Sequence, residues 1–180
     1  MMLSSTRNSY LFKSCFMETK KNYRVKLIQF EKSLNLAEIE VRYRTKPQDK
    51  IAIKKSKDAF DILYPLYNKD NIEFLEQFYL LLLNRANKVL GWINLSIGGT
   101  NGAIVDVKVI FALALTTNAS GIVVSHNHPS QNLIPSEEDK RITKAIIEAG
   151  KLFNIKLLDH IIVASNENYF SFADEGLLVF

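Results

Sequence analysis

His126-Asn127-His128-Pro129-Ser130-Gln131-Asn132-Leu133-Ile134-Pro135-Ser136-Glu137-Glu138-Asp139 is the stretch on which the reading of this chain turns. The sequence holds three histidines, and two of them stand here, two residues apart. They close the run Gly121-Ile122-Val123-Val124-Ser125, whose β-branched residues, bounded by a glycine and a polar loop, predict a short buried strand. Continued through His128, that strand places residues i and i+2 on one face, so both imidazoles point the same way. A loop with two prolines follows, and Ser136-Glu137-Glu138-Asp139 opens a segment of helical periodicity through Phe153. The turn from strand to helix swings a carboxylate back over the histidine pair.

Two imidazoles and one carboxylate are the ligand set of a zinc site that keeps a fourth position open. Zn–N bonds of about 2.0–2.1 Å and Zn–O bonds of about 2.0–2.2 Å require the three side chains to converge on one point. A strand, a tight loop and a helix start, in that order, meet this requirement. A plainer reading competes: Ser136-x-x-Asp139 is also an N-capping box, in which the hydroxyl accepts a backbone N–H and the acidic side chain reaches back. A lone strand-end histidine is, moreover, usually a hydrogen-bonded structural residue. Two histidines on one strand face, beside a helix start carrying both a hydroxyl and a carboxylate, favour His126, His128 and Asp139 as metal ligands. The cap is compatible with that role. His160 is an alternative third ligand, but its apolar strand reads it as a structural residue or one that supports the ligands from behind.

The spacing His-x-His-x7-Ser-x2-Asp resembles the metal signature of the JAB/MPN (JAMM) metallohydrolases. The wider string Asn118-Ala119-Ser120, His126 to Ser130, Pro135 to Lys140 and Leu158-Asp159-His160 is similar to the RadC branch, from about Glu76 to Gly176. Gln131 stands where RadC proteins usually have glycine, and Val107 where many have proline. The resemblance implies a cytidine-deaminase-like β-sheet flanked by helices, bound Zn2+, and hydrolysis of a peptide or isopeptide bond in an unidentified peptide or protein substrate. It also implies a glutamate at the start of the first strand of the domain as general base and acid. Glu76, in Leu75-Glu76-Gln77-Phe78, matches that position, and Glu73 is its competitor. Without a metal, Glu76 reads only as a solvated strand-end charge. Ser136 acquires a second role under the same resemblance, steadying the oxyanion of a tetrahedral intermediate. JAB-like domains also serve as non-catalytic binding modules, which is the alternative function, together with association with nucleic acid under the family's DNA-repair name.

The rest of the chain bounds these readings. Its 180 residues, 47% hydrophobic and 23% charged, suit one domain with a full core plus an arm. No apolar run, Phe78 to Leu83 included, approaches the ~20 residues that span a bilayer, so no membrane is expected. One cysteine, Cys15, excludes an internal disulfide or a multi-cysteine zinc site and fits a reducing cytoplasm. Residues 1 to 57 carry 14 Lys/Arg against 5 Asp/Glu, net +9, and residues 58 to 180 carry 9 against 14, net −5, which together make the net +4. The basic charges alternate with apolar residues, which predicts a solvated strand face more than a nucleic-acid patch.

In order, residues 1–22 read as an extension without ordered structure, Met17 being an alternative start to Met1, and 23–70 as a basic arm. Residues 71–180 form the metallohydrolase-like domain. Tyr23 to Phe30 and Ala37 to Arg44 alternate as half-exposed strands of a hairpin, with an edge free to pair with the main sheet or a second copy. Ser56 reads as the cap of a short helix through Leu63, which Pro65 ends or kinks. Strands are predicted at Phe78–Leu83, Val89–Ile97, Lys156–Ala164 and Tyr169–Ser171, and a helix at Asp106–Thr117. The mixture implies an α/β or α+β sheet with helices on its faces. Residues 20 to 70 contain no glycine-rich hairpin between two helices, the DNA-binding appendage often found in the RadC branch, and this weakens any DNA-binding expectation.

Overall fold

The computed structural model of the protein describes residues 24–25, 41–44, 51–98 and 105–178. The short strands β1 (Arg24–Val25) and β2 (Val41–Arg42) pair antiparallel, as the two alternating stretches of the arm lead one to expect. The expected extension before residue 24, the hairpin between the two strands and the loop 45–50 lie outside the described residues.

Then follow α1 (Ser56–Leu63) with a 3₁₀ turn at Tyr64–Leu66, β3 (Gln77–Leu83), β4 (Val89–Ile97), α2 (Val107–Thr116), β5 (Gly121–Asn127), α3 (Glu137–Phe153), β6 (Lys156–Val163) and β7 (Tyr169–Ser171). The last five strands form one mixed sheet in the order β4-β3-β5-β6-β7. Every neighbouring pair is antiparallel except β5 and β6, which are parallel and joined by α3. This is the α+β layer architecture expected of the sequence. No helix among the described residues is long and apolar enough to cross a membrane.

Helices cover both faces, which explains why β3 reads as an unbroken apolar run where a half-exposed strand would alternate. Phe78, Leu80 and Leu82 turn toward α2 and α3, where they meet Ile110, Ala114, Ile146 and Ile147. Tyr79, Leu81 and Leu83 turn the other way, onto Ala59, Phe60 and Leu63 of α1 and onto Tyr67 and Ile72. Residues 53–67 thus share one core with the sheet. Each fully buried leucine, such as Leu80, Leu81 and Leu83, contributes about 1.5–3 kcal/mol by leaving water. Alternation along β5 likewise sends Ile122 and Val124 to the α2/α3 face and Val123 to the α1 face. His126 continues the first series. A slip of one residue would exchange the faces and send the histidine to the wrong side.

One local expectation needs correction. Ser56 does not cap α1: Lys55 is the N-cap, and Asp58 accepts from the N–H groups of Lys54 and Lys55. The Ser56 hydroxyl is instead buried, donating to Asp174 and accepting from Ser171, because tertiary contacts outcompete the local cap.

α3 begins and ends on strong local signals. Ser136 is its N-cap, Asp139 completes a capping box, and Asn154 closes it in the left-handed conformation at φ 55°. The chain then folds back so closely that a Cβ on Gly150 would sit 2.3 Å from the backbone oxygen of Ile155. Gly150→Ala is therefore expected to destabilise: the ~1 kcal/mol gained in helix propensity is outweighed by a backbone clash that must displace the entry to β6. Overpacking of this kind costs about 1–3 kcal/mol. Thermal unfolding of the variant checks this, and an unchanged or raised Tm would contradict it.

Candidate metal centre

The buried stripe of α3 is Asp139, Thr143, Ile146, Ile147 and Gly150, one face at helical spacing whose first two members are polar. They lie where the helix start passes the end of β5. There the nearest polar atoms converge: His126 Nε2 is 3.0 Å from His128 Nε2 and 3.0 Å from Asp139 Oδ1, and His128 Nε2 is 3.3 Å from Asp139 Oδ2. Ligands about 2.1 Å from a tetrahedral metal are about 3.4 Å apart, so two imidazole nitrogens and a carboxylate at these separations fit a divalent ion with little adjustment.

The backs of the two imidazoles are held. His128 Nδ1 donates to the Asn132 carbonyl at 2.5 Å, and since a carbonyl only accepts, the proton sits on Nδ1. His126 is buried, its ring stacked on Phe78 with centroids 5.8 Å apart, and its Nδ1 lies 2.9 Å from His160 Nε2. Burial opposes the charge on Asp139, but the imidazoles of His126 and His128 beside it, with the Ser136 hydroxyl, hold its carboxyl well below the usual carboxylate range. Burial likewise opposes protonation of His128. Its bonds to Asp139 and Asn132, and the charges of Asp139 and Glu76, prevail and hold its pKa above the ordinary value. His160 is fully buried, and burial followed by the neighbouring His126 presses its pKa well below the ordinary value.

Ser136 does what the capping-box reading requires: its hydroxyl donates to Asp139 Oδ2 at 2.6 Å and accepts from the Asp139 N–H at 3.1 Å. Its N–H donates to the same oxygen at 2.7 Å. Cap and ligand are thus one device, in which the bonds that start α3 also orient the carboxylate.

Glu76 immediately precedes β3, two residues before Phe78, which pairs with His126. Alternation puts it on the same face as Phe78, next to the end of β5 where His128 stands. Its position is set by Asn127, whose side chain points away from the histidines and is fully buried. Asn127 Oδ1 accepts from the Gln77 N–H at 2.7 Å, and Nδ2 donates to the carbonyls of Ile72 at 2.6 Å and Leu75 at 3.0 Å. The peptide groups on both sides of Glu76 are thereby clamped to the residue between the two histidines. Glu73, the competitor, accepts from the Ser165 hydroxyl at 2.6 Å on the loop between β6 and β7.

The comparison with known families agrees with this geometry. A model of the RadC-like JAB domain matches residues 53–177. The chain belongs to that family. A UPF0758 protein of Flavobacterium johnsoniae is 43% identical over 145 residues, covering 79% of this chain and 62% of the relative. Another, from Porphyromonas gingivalis, is 43% identical over 103 residues, 57% of this chain and 45% of the relative. A third, from Alkaliphilus metalliredigens, is 36% identical over 143 residues, 79% and 61%. The chain therefore spans about six tenths or less of the length of these curated relatives.

Within this RadC-like JAB domain the two departures from the family pattern have local explanations. Gln131 adopts the left-handed conformation at φ 63°, where glycine is unstrained. Its side chain compensates by donating to the carbonyls of His128 and Pro129 and accepting from the Ser165 N–H at 2.6 Å, bracing the loop behind the histidines. Val107 is the first residue of α2 after the Asp106 cap, a position where proline is favoured and most other residues are tolerated. Sequence reasoning missed Asn127 and Thr143. The signals were an amide between two same-face strand residues, which must point into the opposite core, and a threonine one turn after Asp139 on an otherwise apolar stripe.

Proposed function

We propose that this RadC-like JAB domain is a zinc-dependent hydrolase of amide bonds, peptide or isopeptide, with His126, His128 and Asp139 as the metal ligands. The observation that carries the reading is the approach of two imidazole nitrogens and a carboxylate to 3.0–3.3 Å of one another. Two nitrogens and a carboxylate oxygen are also the donor types that suit zinc. Zinc, when bound, supplies a Lewis acid and brings the pKa of water down to about 7.

The chain's own residues do the rest. Glu76 takes a proton from the attacking water at its carboxylate and delivers it to the leaving nitrogen, a role that contributes about 10²–10⁴-fold. Asn127 holds the peptide groups flanking it. The Ser136 hydroxyl donates to the oxyanion, and to do so it exchanges its bond to Asp139 Oδ2 for one to the substrate. Glu73 is the weaker candidate for proton transfer because Ser165 already engages its carboxylate.

Metal analysis of the purified chain tests the reading. Wild type is expected to carry about one zinc per chain, and a His126→Ala, His128→Ala double variant close to none, with both folded by circular dichroism. Equal, low zinc in both proteins would overturn it.

A further inference from the structure

His160 and Thr143 lie behind His126, and their protons can be counted. Thr143 Oγ1 is 2.5 Å from the backbone oxygen of Asp139 and 2.7 Å from His160 Nδ1. Two oxygens at that separation repel unless a proton lies between them, and the carbonyl has none to give. The single hydroxyl proton therefore points at Asp139, and Thr143 must accept from His160. Nδ1 of His160 carries its proton, which leaves Nε2 of the neutral ring as a lone pair 2.9 Å from His126 Nδ1. His126 Nδ1 must then be the donor, and His126 Nε2, facing Asp139 and His128, is left without a proton. All three residues are no more than 2% exposed, so water offers no competing partner. Phe172, stacked on His160 with centroids 4.8 Å apart, holds the ring in this orientation.

We infer that the chain from the Asp139 carbonyl through Thr143 and His160 fixes the tautomer of His126, so that both residues are positioning residues for Zn2+ capture although neither is a ligand. The inference rests on the metal reading proposed above. It closes a circuit in which Asp139 contributes its carboxylate to the ligand set and its backbone carbonyl to the relay that prepares another ligand. Loss of the relay lets His126 place its proton on Nε2, where it must be displaced before a cation can bind.

The experiment is a competition for Zn2+ against a chromophoric chelator, using the full chain as wild type, Thr143→Val, Thr143→Ser and His160→Phe, with a thermal melt of each. Thr143→Val keeps the shape and removes the acceptor. It is expected to weaken Zn2+ binding by about 10–100-fold, the usual size of losses behind a metal ligand, with Tm little changed, and Thr143→Ser to restore wild-type affinity. His160→Phe should lose at least as much as Thr143→Val. Two-bond ¹H–¹⁵N spectra of the zinc-loaded wild type should show His160 protonated at Nδ1. Wild-type affinity in Thr143→Val, or His160 protonated at Nε2, would overturn the relay while leaving the metal site standing. A wild type that binds Zn2+ no better than the His126→Ala, His128→Ala variant would overturn the metal reading and the relay with it.

Discussion

Glu76→Gln is expected to leave zinc content and thermal stability close to wild type while lowering the rate of amide hydrolysis by about 10²–10⁴-fold, the usual worth of a positioned general base. Glutamine keeps the size of the side chain and its hydrogen-bonding reach but has no basicity near neutral pH, so it separates proton transfer from packing. The fold should tolerate the change because Glu76 is only half-buried and its backbone is held by Asn127 through the neighbouring peptide groups. The measurement is a single-turnover rate on a peptide or isopeptide that the zinc-loaded wild type cleaves, with metal analysis alongside. A rate within tenfold of wild type would remove Glu76 from the chemistry. The companion variant Glu73→Gln, whose amide oxygen can still accept from the Ser165 hydroxyl, should retain most of the activity.

A second large effect is expected from Asn127→Ala, this time on stability. Truncation leaves the buried Gln77 N–H and Ile72 carbonyl, and the part-buried carbonyl of Leu75, without their partner. Each unsatisfied buried group costs about 1–3 kcal/mol, so the total falls at about 3–5 kcal/mol once some relaxation is allowed. For a chain of this size each kcal/mol moves Tm by about 2–4 °C, which predicts a fall of roughly 10 °C. Urea denaturation checks the value, and a loss under about 1 kcal/mol would contradict the clamp. Surviving folded protein should also have lost hydrolytic rate, since Asn127 is what ties the start of β3 to the histidine strand.

The sequence alone determined much of this protein, because several of its decisive features are local. The strand at Val89–Ile97 and the one at Tyr169–Ser171 have the bounds that alternation and turn residues predict. The helix after Ser136 starts on its capping box and runs to Phe153 as its periodicity requires. The grouping of His126, His128 and Asp139 was legible for the same reason, although β5 ends at Asn127 and not at His128 as expected: i and i+2 at a strand end, then the first turn of the next helix, is a constraint carried by neighbouring residues. Ser56 shows the limit of such reading, since a good capping residue was drawn instead into a bond with Asp174, 118 positions away. Tertiary structure alone decided which groups stand behind the triad. Asn127 reaches 50 residues back to Gln77, and His126 reaches 34 residues forward to His160. Those contacts exist because β5 lies between β3 and β6 in a definite register, and strand order is chosen by how whole faces bury against α1, α2 and α3. That choice depends on packing summed over the entire sheet, which no short stretch of residues contains.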